Sequence, residues 1–598
     1  MRMVCQHSTT PTWLAALVLV AFAIWAGAYS MLTPAWEAPD EAGHFEYATY
    51  LAQHRALPVQ RLHATSEFHQ PPLYYAITAL AMTPADLHDP TGALNPNPDF
   101  IWAGQGGNDA NIGFHISAET FPFQGRALAL HLARAVSALM GTLTVTLTIA
   151  IGWEIFPEQR WIGLLGGALV AFNPQFLFIS GAMNNDNLLT TAATGAWWQL
   201  LRAMQRPKQW RPWMWVGLWV AVGLLAKTSM FVVGLVVGLM LLACAIRRRS
   251  AGVLVRGALA MGSSVILATG WWFLRNQRLY GDPLGWNVFR VNFKSVLRRG
   301  PLPWSKVQEF FSVQFRSFWG VFGWMNVNAP GWFYAAIQVL LGLSLLGIVF
   351  WFVRRRYRTL TEFQKSALVL LGLAIAAQEG YMLWAITRFN ESWYQGRYLF
   401  PIIGPLMILV SLGLTSWLPK RWSPVLATGL TLALASVAVL MQSQVIQPAY
   451  AIAPSPKWAL WLVPNKTEFT FGNAIELAGY KIKEKNTNSQ VMLMLYWRAR
   501  QKPDFDYSAF VHLVDGSGRM VAQDDHAPGT QRHYSPTAWW PGDVIVDEYV
   551  ITWPGQLAPG VYHFRIGVYN WITGERLPIL SGSQPAGDFV TLDQALHR

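Results

Sequence analysis

Long apolar runs alternate with short polar ones over most of this chain. Runs of about 18 residues or more read as membrane-crossing helices, since about 20 residues span the roughly 30 Å of hydrocarbon. The pattern predicts spans at 13–32, 131–154, 161–181, 187–204, 212–226, 229–246, 253–273, 333–353, 364–386, 398–418 and 423–441. Two divisions follow from length. The segment from Trp213 to Ile246 would be about 51 Å long as one helix, too long for a single crossing. It must break at its polar point, "AKTS" at 226–229. The run from 161 to 204 divides in the same way at "NNDN", 184–187. Both breaks return the flanking basic clusters to one side of the membrane.

From Asn465 the period changes to two. Segments such as "QVMLMLYWRA", "VIVDEYVITW" and "GVYHFRIGVYNW" alternate apolar and polar residues, and "DGSG", "WPGD" and "LAPG" supply turns between them. Short strands at this spacing predict an antiparallel β-sandwich over 465–598. Residues 442–464 form a proline-rich linker, predicted to be extended. With the amino terminus inside, eleven spans place three segments on the outer face: 33–127, 275–331 and everything after about residue 442. Loops of such length usually carry function or structure of their own.

Composition agrees with a membrane chain. Of 598 residues, 53% are hydrophobic and only 13% charged, which excludes an ordinary soluble domain. The net charge of +13 raises nucleic acid as a partner, but the basic residues sit in short clusters between spans, as in "RPKQWR" (206–211), "RRR" (247–249) and "RRRYR" (354–358). That is the positive-inside pattern of cytoplasmic loops, not one basic face on a soluble domain, so nucleic acid is excluded. The first run, Trp13 to Leu32, exceeds the roughly 7–15 residues of a signal-peptide core and reads as a retained anchor. Cys5 and Cys244 are the only cysteines, and neither a disulfide framework nor a metal site follows from them. The expectation is a multi-pass protein of the plasma membrane, with its long loops and β-domain extracytoplasmic.

The chemistry-bearing residues gather in the loop after the first span. "TPAWEAPDEAGHFEYATYLAQHRALP" starts at Thr33, and Pro39 suits the first turn of a helix in which Asp40 and Glu41 meet the positive end of the helix dipole. Helix-start chemistry alone accounts for both acids. Their place just outside the membrane, with His44 and Tyr47 on the same helix, supports a functional reading equally. Adjacent helical positions point about 100° apart, so the pair is not a dyad sharing one proton. "EFHQPPLYYAITAL" (67–80) opens a second short helix, with His69 as its candidate and its tyrosines read as interface anchors.

"EAPDEAGHFEYATYLAQ" followed by "HQPPLYY" resembles the first outer loop of the GT-C membrane glycosyltransferases, above all the protein O-mannosyltransferases and the lipid A aminoarabinose transferases. The resemblance covers roughly residues 10–420. In that superfamily an Asp-Glu pair follows the first span, and a second acid precedes the fourth, where this chain has Asp186 in "NNDNLL". The resemblance implies a GT-C-like, α-helical polytopic fold of about eleven transmembrane helices carrying the β-sandwich. It also implies inverting transfer of a sugar from a polyprenyl-phosphate donor to an acceptor hydroxyl on a glycan, lipid or protein at the outer face.

That reaction sets clear demands. A phosphate departs without needing a proton, so one carboxylate must take the proton of the incoming hydroxyl and cations must neutralise the leaving group. Asp40 is the expected base, and Glu41 positions the acceptor or the helix. Lys227, Arg275 and Arg397 are the candidate phosphate cations, Arg397 first because Gln395 and Tyr398 stand beside it; each also reads as an interface anchor. Asp186 is a candidate for orienting the acceptor or a divalent metal, or else a helix-start acid. No obligatory metal or cofactor is expected, because no His/Cys/Asp cluster has ligand spacing. In the β-domain, Trp539 and Trp540 are expected to be exposed for sugar stacking, while Trp497, Trp553 and Trp571 are expected in the core. Two other classes stand beside the enzyme: a transporter or flippase of lipid-linked sugars, marked by inverted repeats and discontinuous helices, and a membrane-anchored carbohydrate-binding assembly protein.

Overall fold

The computed structural model describes residues 12–597 except 65, 98–99, 101–110, 116–118, 120, 391–392, 451–454, 456, 485–488, 530–533, 554, 556, 582–583 and 586, so Cys5 lies outside the described residues. The chain divides into two units.

The first unit is helical. Eight helices among the described residues are long and apolar enough to cross a membrane, and a bent pair makes a ninth. They begin with Thr12–Leu32 and Gly125–Ile155 and end with Gly396–Thr415 and Lys420–Ala449. Two further segments read as spans, Asp186–Gln205 and Trp210–Leu224, also form helices. The latter has only 15 residues. The former is more polar, and 17 of its 20 residues are buried. Neighbouring helices rather than lipid surround it, which is why threonines and asparagines are tolerated there.

The breaks fall where polarity placed them. The turn at 181–185 separates two helices at "NNDN", and Leu225–Lys227 separates Trp210–Leu224 from the short turn before Phe231–Arg247. One break is additional. The segment read as a single span at 161–181 bends by 65° between Arg160–Ala171 and Pro174–Ser180. Asn173 caps the second piece, accepting from the Gln175 and Phe176 amides, and Pro174 at the first helical position cannot continue the preceding turn. The Asn173 amide also donates to the Phe318 carbonyl, so this discontinuity is fully satisfied by protein.

The end of the last helix also differs from expectation. Instead of an extended linker from 442, helical turns run on to Ala449, and Lys457–Leu462 is a 3-10 turn. Pro448 sits within the last of these turns, near its start, where its missing amide costs little, so the extended reading placed the helix end too early.

The second unit is the β-domain from Tyr450 together with the described loop residues from Pro90 to Ala127. Sequence patterning had assigned that loop entirely to the membrane part. Phe114 instead packs against the β-domain core, its ring 6.4 Å from that of Tyr534. All strand pairs are antiparallel, in two sheets. One sheet is built on Asn465–Phe471, Ile475–Glu484, Gln490–Ala499 and Val544–Thr552; the other on Met520–His526, Ser508–Val514 and Val561–Tyr569. Alternate side chains such as Leu493, Leu495, Val511 and Ile566 fill one shared core. The tryptophans sort differently from expectation. Trp539 is buried and donates to the Tyr534 carbonyl at 2.9 Å, whereas Trp571 is 59% exposed. Trp540 is exposed as expected, and Trp497 and Trp553 are in the core. The turn Asn570–Gly574 lifts Trp571 off the end of its strand, which alternation along the strand does not reveal.

Candidate active site

A buried knot around Glu41 builds the site. Glu41 is the first residue of the helix Glu41–His54, and both it and Arg134 are wholly buried. The Arg134 guanidinium donates to both Glu41 carboxylate oxygens, at 2.9 and 2.6 Å. It also donates to the carbonyls of Ser30, Thr33 and Pro34. Glu41 accepts in addition from the amides of Trp36 and Met183. Every group in this pair has a partner, the condition under which a buried ion pair is tolerated. The knot ties the exit of the first helix, the helix Gly125–Ile155 and the turn before Asp186 into one piece.

Asp40 is held by that knot in a left-handed conformation, φ 64°, and Trp36 has φ 71°. Such backbone is unfavourable for most residues and less so for Asp. Asp40 occupies the helix N-cap position, yet its side chain makes no capping bond. The carboxylate turns instead to Arg397, accepting from Nη2 at 2.5 Å. The positive end of the helix dipole is therefore not the main influence on this carboxylate. Burial raises its pKa, but Arg397, with His44 and Lys227, outweighs burial and holds it below the usual carboxylate value.

Asp186 starts the helix Asp186–Gln205, and its amide donates to the Asn184 side chain while Asn184 reaches the Pro39 carbonyl. Its Oδ1 accepts from Lys227 Nζ at 2.5 Å, and its Oδ2 lies 3.7 Å from Arg397 Nη1. Lys227 is presented by the break between two helices, and Arg397 by the 3-10 turn Gly396–Ile402. Gly396 allows that turn to press against the helix Trp304–Trp319: a Cβ there would stand 2.2 Å from the Phe318 amide nitrogen. Both cations also lie against the Tyr398 ring, 5.2 Å and 5.3 Å from its centroid.

These groups line one cavity of about 360 Å³ within the first unit. Asp40, His44, His69, Asp186, Lys227, Arg397 and Tyr398 all face it. Three expected residues do not. Glu41 is locked to Arg134, Tyr47 is buried against Tyr75 and donates to the Gln70 carbonyl, and Arg275 donates to the Pro58 carbonyl at 2.6 Å. Reading Glu41 as a group that touches substrate, and Arg275 as a phosphate clamp, therefore has no geometric support. Both sit where the sequence put them, but packing aims their side chains elsewhere.

The cavity also holds residues not singled out from the sequence. Glu67 stands beside the expected His69 and accepts from Gln70 at 3.2 Å. Burial raises its carboxyl above the ordinary glutamate value. Burial likewise pushes His69 down to about 4 and lowers His44, whose Nδ1 lies 2.9 Å from the Tyr75 hydroxyl, so both imidazoles are neutral at pH 7. The other wall is aromatic, from Trp286, Phe289 and Phe293 of the second long loop and from Trp393. An acid two residues before His69 was a visible signal; the aromatic wall, drawn from a segment some 220 residues away, had none.

Several buried polar atoms here make no hydrogen bond among the described residues: Arg397 Nε, Asn185 Oδ1 and His69 Nδ1, together with Arg397 Nη1 and Asp186 Oδ2, which face each other at 3.7 Å. Unpaired buried groups are costly, so their concentration in one cavity marks a site for a polar ligand. Among the described residues no group of three His, Cys, Asp or Glu side chains is disposed to hold a metal; each central carboxylate faces a cation of the protein itself.

Residues 123–407 match a family described as "Predicted membrane protein (DUF2142)". No curated protein matches the chain. Among solved structures, the chain is similar to ArnT from Cupriavidus metallidurans bound to undecaprenyl phosphate, at 16% identity and a TM-score of 0.41, over 74% of each chain. The apo form of that protein gives 16% identity and 0.41, covering 74% of this chain and 73% of the other. The chemistry of the cavity is read from its own residues.

Proposed function

We propose that this protein is an inverting glycosyltransferase of the plasma membrane, transferring a sugar from a polyprenyl-phosphate donor to an acceptor hydroxyl at the outer face. The acceptor is a glycolipid, polysaccharide or protein. The observation that carries the reading is the meeting of Asp40, Arg397, Lys227 and Asp186 in one cavity with an aromatic wall.

The donor phosphate lies against Arg397 and Lys227, with Arg397 Nε and Nη1, which make no hydrogen bond within the protein, as donors to its oxygens. Phosphate binding draws the guanidinium away from Asp40 and frees a carboxylate that is ionised at neutral pH. The acceptor hydroxyl gives its proton to Asp40 while its oxygen attacks the anomeric carbon. The bond from that carbon to the phosphate oxygen breaks, and its electron pair leaves on the phosphate, where the two cations stabilise the charge. Asp186 holds Lys227 in place. Trp286, Phe289 and Phe293 offer apolar faces to the sugar and the first isoprene units. In this reading the positive charge at the leaving group comes from side chains, and no metal is obligatory.

The test is purified protein with a panel of polyprenyl-phosphate sugars and release of free polyprenyl phosphate as the readout. Release that depends on an added acceptor is expected for at least one donor. Movement of lipid-linked sugar across vesicles without any release would replace the enzyme by a flippase.

A further inference from the structure

The opposite end of the helical unit, where the basic clusters gather, carries a second large cavity, of about 960 Å³. It opens between the end of Asp186–Gln205 and the start of Trp210–Leu224. Arg202, Arg206 and Arg211 line it, and none of the three guanidinium groups has a hydrogen-bond or ion-pair partner among the described residues. The one acid on its wall, Glu154, accepts from Gln205 at 2.6 Å. A neighbouring cavity shows the contrast, for its Arg247 is paired with Glu362 at 2.8 Å.

The lining changes character with depth. Arg211, Trp215, Leu218 and Val222 recur at helical spacing down one face of Trp210–Leu224, so the wall runs about 16 Å along that helix. Past the arginines it is made of Trp215, Leu218, Trp219 and Val222, while Trp198 lies under the Arg202 guanidinium, 4.9 Å from ring centroid to cation. Trp219 is seated firmly: a Cβ at Gly195 would stand 2.5 Å from its ring. Cationic at the mouth and apolar below, the slot has the polarity of a lipid set in a leaflet.

We infer that this cavity binds an anionic glycerophospholipid, its headgroup phosphate held by Arg202, Arg206 and Arg211 and an acyl chain against the tryptophan wall. The positive-inside rule makes this end cytoplasmic, and the cytoplasmic leaflet supplies anionic lipid in abundance. Basic pockets between helices on that side are the usual seat of such headgroups. The site is independent of the chemistry in the opposite cavity.

The test is native mass spectrometry of the full-length protein in detergent with added phosphatidylglycerol, phosphatidylcholine or polyprenyl phosphate. Phosphatidylglycerol should be retained over the other two. The triple variant Arg202→Gln, Arg206→Gln, Arg211→Gln should weaken its retention about a hundredfold. Should that variant not fold, each single glutamine variant should weaken retention about fivefold. Equal retention of phosphatidylcholine, preference for polyprenyl phosphate, or unchanged retention in the variants would overturn the inference.

Discussion

Asp40 and Glu41 are chemically alike neighbours, and the structure assigns them opposite consequences. Glu41→Gln leaves Arg134 wholly buried with all its donors and no neutralising charge. Breaking a buried pair on one side costs about 3–5 kcal/mol, enough to lower the unfolding temperature of the helical unit by several degrees. Asp40→Asn is milder for the fold. Arg397 keeps the Asp186 carboxylate 3.7 Å away, and asparagine tolerates the left-handed backbone at φ 64° as well as aspartate does. Asp40 is 35% exposed and Arg397 keeps a second carboxylate, so the stability loss should be well below that of Glu41→Gln. For turnover the order reverses. Loss of a general base costs about 10²–10⁴-fold, so Asp40→Asn should lose that much, while the Glu41→Gln protein that survives purification should turn over within about tenfold of wild type. Thermal unfolding in detergent and single-turnover release of polyprenyl phosphate measure the two effects. An unfolding temperature unchanged in Glu41→Gln but with turnover abolished would refute the reasoning, as would an active Asp40→Asn.

Four further outcomes follow from the structure. In the free enzyme Asp40 is held below its ordinary value of 3.8 by Arg397, so its own titration should lower kcat/KM only as pH drops through that depressed value. Glu67 is raised above 4.5, so an acid limb at or above that pH belongs to Glu67; Glu67→Gln should remove it from the pH–rate profile, and a limb that persists rules Glu67 out. Gly396→Ala would drive a Cβ into the Phe318 backbone; overpacking of this kind costs about 1–3 kcal/mol and should displace Arg397, raising KM for the donor more than it lowers the unfolding temperature. In the β-domain, His526 lies against Asp547 at 3.1 Å and Asp524 at 3.4 Å. Burial opposes its charge, but the carboxylates outweigh it and raise its pKa above 6.5. That stabilisation is complete below about 6.5 and lost as pH rises through the folded value. Exchange protection of Met520–His526, corrected for intrinsic rates, should fall over that interval in the wild type and not in His526→Gln.

The helices were legible because hydrocarbon imposes a local rule. Each span must supply its own length of apolar residues and satisfy its own backbone, so a window of sequence shows it. The strands from Asn465 show equally well, since period two is local. Asp186–Gln205 was readable as a span although polar, yet only packing explains its threonines. Burial of Trp539 and exposure of Trp571 escaped for a related reason: local pattern does not say which end of a strand a turn lifts away from the core.

Sequence alone therefore determined that the chain is a multi-pass helical protein with a β-domain, where two of its helix breaks fall and which loops carry acids and cations. Tertiary structure decided which of those groups meet. Asp40 and Arg397 are 357 positions apart, and nothing near either one specifies the other. Arg134, 93 residues beyond Glu41, turns one of two adjacent carboxylates into a buried tie and leaves the other facing the cavity. Charge and span are properties of a segment; the direction of a side chain is set by whatever packs against it.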